Sequence, residues 1–430
     1  MAKPKLALIP ATQGSKLYSV LPADGVGDFT FSRGSAATRI NKNGLIETVA
    51  SGKSRLNYPL IDGVVNGCPS HLLEPSRTND FTNSEDFSTN WSTSNVLSNV
   101  NQIISPNGTL NADLVYENTG TNPHFTFQTV GTTTTNDYTL SVFAKYSGRF
   151  LQVFAGGSDT VGNPYVNFDL QNGTFNNNGA NGVSMENHGN GWYRCIVEVT
   201  SAVTSGFNPI FGLVETLNSS RASGYTGNGT SGVYLWGAML EEGSYATSYI
   251  PTTSSAVTRV AETANGAGDA STFNDSEGVL MAEISALADN GSSRQISLSD
   301  GSSSTNKVSL IYTSTSNQLQ AFIRSGGSIA FNVSEILSDT TNNNKIALKY
   351  KANDFALWVN GIELENNTIG NAPTSLNVLD FDDADGASDF YGSAKQIQYF
   401  DSALNDSDLE KITSWTSFTD LANGQTYSIK

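Results

Sequence analysis

Asn-Gly and Asp-Gly dipeptides recur along the chain, and they limit how long any regular element between them can be. They include those that begin at Asp24, Asn43, Asp62, Asn66, Asn172, Asn181, Asn190, Asn228 and Asn360. Glycine after Asn or Asp readily takes the positive φ that tight hairpin turns require. The pattern therefore predicts short antiparallel strands, about five to nine residues each, joined by tight turns.

Residues 81–252 show the strand pattern most clearly. From Tyr138 to Tyr146, Leu140, Val142 and Ala144 alternate with more polar residues, as expected of a strand with one buried face. Several such segments separated by turn signals indicate an antiparallel sandwich.

A second set of strands is predicted over residues 273–430, after a stretch rich in Ala, Gly and Thr (253–272) that we interpret as a linker. A hairpin is expected over Lys345–Gly361, and one short helix over Asp406–Ile412. The predicted fold class is all-β, with two antiparallel β-sandwiches preceded by an irregular, β-rich N-terminal segment.

The charge balance excludes several kinds of partner. The formal net charge is −17, which repels nucleic acid and anionic membranes, so we expect no nucleic-acid binding and no membrane insertion. Cys68 and Cys195 are too far apart in sequence to build a disulfide framework or a zinc site. The apolar run Leu6–Ile9 is too short for a signal peptide, so we expect synthesis in a reducing cytoplasm.

Catalytic motifs are missing from the sequence. It has no Glu-x-Asp-x-x-Glu strand for glycoside hydrolysis, no Gly-x-Ser-x-Gly turn and no phosphate-binding loop. We therefore expect that the chain is not an enzyme.

Residues 1–80 differ from the rest in charge, because they hold nine Lys and Arg residues against six Asp and Glu residues. One interpretation is a β-meander leaning on its neighbour. The other is an assembly segment that anchors the chain to an acidic partner, with Arg33, Arg39, Arg55 and Arg77 in contact with it.

An acidic loop lies near the C-terminal end of the chain. Its carboxylates are Asp380, Asp382, Asp383, Asp385 and Asp389. Hard oxygen ligands of this kind suit Ca²⁺, although the spacing is not that of an EF-hand. The alternatives are a calcium site and a solvated acidic loop.

Sugar binding requires aromatic faces that reach solvent. The candidates are Trp415, Tyr391, Tyr225 and Trp91. The other tryptophans, Trp192, Trp236 and Trp358, lie within alternating strands and are expected in the core.

Three parts of the sequence show a family resemblance. Phe29–Glu47 and Gly67–Asn79 resemble a block common in tailed-phage virion proteins and their prophage relatives. The middle part is similar to the jelly-roll modules of carbohydrate-binding proteins, at Trp91, Ser105–Thr109, Gly189–Arg194 and Tyr234–Pro251. The last third resembles a concanavalin A-like (laminin-G-type) sandwich, at Leu357–Gly361, Phe390–Phe400 and Ala403–Leu409.

The resemblance implies a virion structural protein, a tail or head fibre or adhesin whose sandwiches bind host-surface glycans. Its expected location is the virion, assembled in the bacterial host cytoplasm. Expected partners are other virion proteins (capsid, portal or tail) and further copies of this chain, with a trimer implied by the likeness to fibres. Two alternatives stay open: a capsid decoration or spacer without receptor binding, and a polysaccharide depolymerase.

Overall fold

Antiparallel strands form nearly all of the regular structure in the computed structural model, which describes residues 3–10, 16–132, 134–417, 419–420 and 424–425. The strands build two β-sandwiches, which confirms the predicted fold class. Within these described ranges, no helix is long and apolar enough to cross a membrane.

The N-terminal segment consists of short strands. They are β1 (Leu6–Leu8), β2 (Lys16–Leu17), β3 (Ser19–Leu21), β4 (Phe29–Ser32), β5 (Ala37–Ile40), β6 (Ile46–Val49), β7 (Leu56–Asn57), β8 (Leu60–Ile61), β9 (Val64–Val65), β10 (Ser70–Leu73) and β11 (Arg77–Asn79). None exceeds four residues, so this segment depends on other parts of the chain for burial.

The first sandwich follows. Its strands are β12 (Ser92–Ser94), β13 (Val96–Ile104), β14 (Leu110–Glu117), β15 (His124–Phe127), β16 (Val130–Thr132), β17 (Asp137–Ser147), β18 (Phe150–Ala155), β19 (Tyr165–Asp169), β20 (Thr174–Asn178), β21 (Gly182–Asn187), β22 (Trp192–Thr200), β23 (Ser205–Phe207), β24 (Pro209–Val214) and β25 (Gly232–Glu242). One six-stranded sheet, the outer sheet, has the order β12-β15-β24-β18-β19-β20. The other, the inner sheet, has the order β13-β14-β25-β17-β22-β21.

Strand β17 shows how the N-terminal segment changes the burial of the inner sheet. Leu140, Val142 and Ala144 point into the core between the two sheets, as the alternation predicts. Phe143, on the opposite face of the strand, is also buried, in a second cluster that includes Ile46 of β6. The N-terminal segment therefore covers the face of the inner sheet that would otherwise meet water.

After the first sandwich come the remaining strands, of which all but the first two belong to the second sandwich. They are β26 (Val257–Arg259), β27 (Thr263–Asn265), β28 (Glu277–Ala286), β29 (Arg294–Ser299), β30 (Lys307–Tyr312), β31 (Gln318–Ser325), β32 (Ser328–Ile336), β33 (Asn344–Lys351), β34 (Phe355–Val359), β35 (Ile362–Asn367), β36 (Val378–Asp380) and β37 (Gly392–Phe400). A five-stranded sheet of order β32-β31-β30-β29-β36 faces a nine-stranded sheet. The central path of the latter is β3-β1-β37-β28-β33-β34-β35.

Helix α1 (Asp406–Thr413) covers the outer face of the nine-stranded sheet. Leu409 packs there in a cluster that includes Met281 and Trp358. Asn405 caps the N-terminus of the helix, because its side chain accepts a hydrogen bond from the Asp408 backbone N–H at 3.0 Å.

The N-terminal segment is a structural part of the second sandwich. Strand β1 pairs antiparallel with β37, with Leu6 opposite Tyr399, and β10 pairs with the other end of β37, with His71 opposite Ala394. Leu6, like Leu8, is fully buried in the core of the second sandwich. The boundary expected at residue 80 does not coincide with a structural boundary. Strands as short as three residues become buried only when they join a larger sheet, and these strands join the sheet of the second sandwich.

The stretch expected to be a linker is also ordered. Strand β26 pairs with β11, and β27 pairs with β4, so both strands bind the N-terminal segment. Ala267 bridges to Leu379 of the second sandwich. The residues between the sandwiches therefore form sheet structure rather than a flexible connection.

Five buried charged side chains, the arginine–glutamate cluster, join these parts: Arg33, Arg55, Glu74, Arg259 and Glu262. Glu262 accepts hydrogen bonds from Arg33 Nη1 at 2.6 Å and from Arg55 Nε at 2.9 Å. Glu74 lies 2.8 Å from Arg55 Nη2 and 3.0 Å from Arg259 Nη1. Because burial is costly for an unpaired charge, each member needs the others to be in place.

The assembly role predicted for Arg33 and Arg55 is corrected by these contacts. Arg33 and Arg55 are fully buried and paired within the chain, so neither can reach another protein. Arg39 and Arg77 are partly exposed, and each forms an ion pair with an acid of this chain. For Arg39 and Arg77, the assembly role stays a prediction.

The cluster predicts a stability loss in acid. Burial alone would raise the pKa of Glu74, but Arg259, Arg55 and the hydrogen bonds from Ser248 lower it from 4.5 to about 2. A carboxyl whose folded pKa is depressed stabilises the fold above its ordinary pKa and loses that contribution as the pH falls through the folded value. Between pH 4.5 and 2 we expect Glu74 to cost on the order of 3 kcal/mol in the free energy of unfolding.

Urea unfolding of the wild type and of Glu74→Gln across this pH range measures that contribution. As the pH is lowered, the free energy of unfolding should fall more steeply for the wild type than for the variant. The variant still loses some stability, because its other carboxyls titrate. Parallel curves would contradict the expectation.

Candidate functional site

The sequence-predicted aromatic platforms lie in four separate places. Trp91 is only 7% exposed and packs against Phe81 and Phe87, with ring centroids 5.1 and 4.7 Å away. Its indole N–H donates to the Asn83 carbonyl at 3.2 Å. The prediction of Trp91 as a sugar platform is corrected, because its faces are used by the core of the first sandwich.

Tyr225 is half-buried in a polar network. Its hydroxyl donates to Glu117 Oε2 at 2.7 Å, and Arg149 donates to both oxygens of Glu117 at 2.6 and 2.7 Å. The ring lies against His124, with centroids 4.4 Å apart, and under the Arg149 guanidinium at 5.2 Å. His124 and Arg149 both lie against this ring, so Tyr225 is not an open platform.

Tyr391 and Trp415 are both half-buried. The Tyr391 hydroxyl donates to Asp389 Oδ2 at 2.8 Å. Trp415 lines a cavity of about 510 Å³ beside the nine-stranded sheet, and Lys345 Nζ lies 4.2 Å from its ring centroid. Of the four predicted residues, Trp415 alone lines one of the described cavities, and a cation covers part of its ring.

The acidic loop does not assemble its carboxylates. Asp380 accepts from the Gly266 N–H at 2.7 Å, and Asp382 accepts from Asn265 Nδ2 at 2.6 Å. Burial raises the pKa of Asp380 to about 6. Asp383 accepts from two loop N–H groups, Asp385 from Ser303, and Asp389 from Tyr391.

In the part of the chain that the structure describes, no three carboxylate, histidine or cysteine side chains form a group that could hold a metal ion. The calcium site stays a prediction, and the arrangement of the five carboxylates does not favour it.

An open aromatic surface instead lies on the outer sheet of the first sandwich. Strand register places Phe127 opposite Ile210, Ile210 opposite Phe154, and Phe154 opposite Tyr165. Directly opposite residues project from the same face of a sheet. Phe125, two residues before Phe127, lies on this face too, with its ring centroid 6.0 Å from that of Phe127 and 6.3 Å from that of Phe154. We call these residues, with Arg221, the aromatic face.

Polar residues form the next row on the same face. Gln152 and Asn167 are directly opposite each other, and Asn167 is opposite Asn176. The loop that follows β24 covers this row, because Gln152 Nε2 donates to the Ser220 carbonyl at 3.1 Å and Asn167 Nδ2 donates to the Leu217 carbonyl at 2.9 Å. The covering loop thus borders the aromatic row and leaves it open.

Arg221 connects the loop to the aromatic row. Its guanidinium lies 5.0 Å from the centroid of the Phe154 ring and donates to the Ala155 carbonyl. Phe125, Phe127 and Tyr165 keep part of their surface in solvent, whereas Phe154 is buried between its neighbours. Partly exposed aromatic rings beside a cation can bind a ligand that presents C–H faces.

The sequence contained a signal for this surface. In β15, Phe125 and Phe127 are two residues apart, and β19 begins with Tyr165 before buried Val166. The period of two predicts that each pair shares a face, but it does not tell which face is covered. Only the pairing of β15 with β24 and of β24 with β18 brings these rings into one row.

Comparisons with known proteins give only distant likenesses. No protein-family model and no curated protein matches the sequence. Among solved structures, the CBM40 of Ruminococcus gnavus IT-sialidase bound to α2,3-sialyllactose is 18% identical, and the match covers 35% of this chain and 88% of that chain with a TM-score of 0.30. The NanB sialidase from Streptococcus pneumoniae is 16% identical over 33% of this chain and 24% of that chain, with a TM-score of 0.28.

Mouse laminin α1 domains LG4-5 are 8% identical to this chain, covering 82% of it and 96% of that chain with a TM-score of 0.24. At such scores, none of these likenesses carries an argument about what this chain binds.

Proposed function

We propose that this chain is a glycan-binding protein and that the aromatic face of the first sandwich is its binding surface. The observation that carries the proposal is the row of partly exposed rings, Phe125, Phe127 and Tyr165, aligned by strand register beside Arg221. Such rings stack on the C–H faces of sugars, and neighbouring amides and hydroxyls bond to sugar hydroxyl groups.

We further propose that the protein is a virion appendage that adheres to host-surface glycans, as a tail or head fibre. The support is the block at Phe29–Glu47 and Gly67–Asn79, which resembles phage virion proteins. A shallow surface of this kind binds weakly, and many copies per particle would raise the effective concentration. Assembly with capsid, portal or tail proteins, and a homo-oligomer such as a trimer, stay predictions.

The aromatic face predicts a selective loss of binding. Phe127→Ala and Tyr165→Ala should each weaken binding to the strongest glycan found on an array by about 10-fold or more, which corresponds to about 1.4 kcal/mol. Calorimetric titration of the full chain with that glycan measures the change.

Phe175→Ala is the matched control, because Phe175 is 41% exposed on β20 of the same sheet but points to the opposite face. If it weakens binding as much as the two test variants, the surface is misassigned. If no glycan is bound and the chain maps to the capsid in a reconstructed particle, the spacer alternative replaces the proposal. Release of reducing ends from host polysaccharide would favour the depolymerase.

A further inference from the structure

A cavity of about 250 Å³, the junction cavity, lies where the N-terminal segment meets both sandwiches. Arg39 and Ile46 line it from the N-terminal segment, Arg194 from the inner sheet, and Leu287 from the second sandwich. The volume is below the ~300–1,000 Å³ of pockets for drug-sized ligands. A ligand of monosaccharide size fits that scale.

Arg194 has few hydrogen-bond partners among its neighbours. Its side chain is 8% exposed and makes one hydrogen bond within the described residues, from Nη2 to Ser141 Oγ at 3.0 Å. Its Nε is buried without a hydrogen-bond partner. The nearest carboxylate oxygen, Glu186 Oε2, is 4.0 Å from Nη1, which is beyond hydrogen-bond distance. A guanidinium has five N–H donors, so most of those on Arg194 remain available.

Two more nitrogen-bearing side chains line the same cavity. Arg39 makes only long contacts, 3.3 Å to the Leu56 carbonyl and 3.4 Å to Glu47, and its Nε has no partner among the residues described. The His188 Nδ1 is likewise buried without a partner, and its Nε2 lies 3.7 Å from Glu186. Buried polar atoms without hydrogen-bond partners are uncommon, and here three side chains with such atoms line one cavity.

Acids also lie near these cations, among them Glu47, which forms an ion pair with Arg39. Glu186 has a side chain that is 51% exposed, which places it at the mouth of the cavity, and water screens it. Glu74, which also lines the cavity, is already paired with Arg55 and Arg259. What distinguishes the cavity is therefore the set of unsatisfied N–H donors on Arg194, not an excess of positive charge.

The rest of the lining is largely apolar or already bonded. Ile40, Ile46, Leu72 and Leu287 present aliphatic surface. The Thr38 hydroxyl is occupied, since it donates to the Tyr249 carbonyl at 2.5 Å. The lining thus combines free cationic donors with C–H surface and offers few free acceptors.

We infer that the junction cavity binds a small carboxylate anion of about monosaccharide size, whose charge is held by Arg194 and Arg39. Guanidinium groups match the planar, two-oxygen geometry of a carboxylate, and the aliphatic surface covers the body of the ligand. The ligand is either the acidic sugar of a glycan or a free small carboxylic acid. This site is separate from the aromatic face and does not depend on it.

The test titrates the full chain with glucuronate, glucose and acetate at constant ionic strength, by calorimetry. Glucuronate should bind with a Kd of about 1 mM or lower, and glucose, which lacks only the carboxylate, should not saturate at ~20 mM. Arg194→Gln and Arg39→Gln should each weaken glucuronate binding by about 10-fold or more. Acetate binding as tight as that of glucuronate would assign a free small acid; much weaker acetate binding would assign an acidic sugar.

Arg324→Gln is the matched control. Arg324 lies over the ring of Phe322, at 5.3 Å from its centroid. Like Arg194 and Arg39, it has a buried Nε without a partner in the described structure, but it is outside the junction cavity. The Arg324→Gln variant should bind glucuronate with the same affinity as the wild type. The Phe127→Ala variant, which changes the aromatic face, should do so too.

The inference is overturned if glucuronate shows no saturable binding at ~20 mM, or if both cavity variants bind it like the wild type. If Arg194→Gln does not fold, the glucuronate affinity of Arg39→Gln provides the test instead, because Arg39 is the more exposed of the two residues. Loss of glycan binding in the aromatic-face variants with intact glucuronate binding would separate the two sites.

Discussion

Replacing Glu262 by alanine is expected to lower the free energy of unfolding by about 3–5 kcal/mol, the range for removing one partner of a buried ion pair. Glu262 accepts hydrogen bonds from Arg33 and Arg55, and all three side chains are fully buried. Without Glu262, Arg33 loses its only carboxylate partner in the described structure, and Arg55 keeps only Glu74. Two guanidinium groups would then be buried with insufficient negative charge around them.

Two further variants show whether the lost charge or the lost volume causes the loss of stability. Glu262→Gln keeps the volume but removes the charge, so it should lose most of the same stability if the charge matters rather than the cavity. Glu277→Ala breaks an exposed ion pair, with Lys351 at 2.7 Å, and should cost less than about 1 kcal/mol. Denaturant unfolding measures all three. A cost below about 1 kcal/mol for both Glu262 variants would contradict the prediction.

Separating residues 81–430 from residues 1–80 should abolish cooperative folding of the second sandwich. The cut removes β1 and β10 from the nine-stranded sheet and takes Leu6, Leu8 and Leu73 from its core. Truncating one buried leucine costs about 2–5 kcal/mol, whereas a domain has only about 5–15 kcal/mol in total. The cut also leaves Glu262 without Arg33 and Arg55, and Arg259 without Glu74.

Near-ultraviolet circular dichroism and limited proteolysis of the fragment provide the measurement. We expect loss of fixed aromatic signals from the second sandwich and rapid cleavage there, both restored by residues 1–80 supplied as a separate chain. Ile9→Ala in the full chain is the mild control, because Ile9 is exposed next to buried Leu8. A fragment that melts cooperatively at the temperature of the full chain would contradict the prediction.

These contacts change how the N-terminal segment is understood. Its positive balance suggested an anchor for an acidic partner. The structure shows Arg33 and Arg55 paired with Glu74 and Glu262 of the same chain. Binding experiments with host cells or glycans therefore require the full chain, since a fragment starting at residue 81 lacks part of both the second sandwich and the junction cavity.

The candidate sites were only partly predictable. Trp91 and Tyr225 carry aromatic rings in plausible positions, but whether a ring faces water depends on which residues cover it. Phe81 and Phe87 cover Trp91, and Arg149 and His124 lie against Tyr225. Those neighbours are distant in sequence from the ring they cover, or indistinguishable from other core residues, so no local pattern reveals them.

The sequence by itself determined the class of the fold. Strand alternation and Asn-Gly turns are local properties, and they act over a few residues regardless of the rest of the chain. The hairpin of β33 and β34 and the inward face of β17 follow from these properties and agree with the structure.

Only the tertiary structure decided which strands share a sheet, and with them the aromatic face and the junction cavity. Leu6 pairs with Tyr399 and Arg33 with Glu262, which is 229 positions away, so these contacts join residues far apart in the chain. The sequence pattern of a three-residue strand, or of a single basic residue, does not indicate a partner so far away in the chain. The physical reason is that burial and charge pairing depend on what the whole chain brings close, whereas alternation depends on the strand alone.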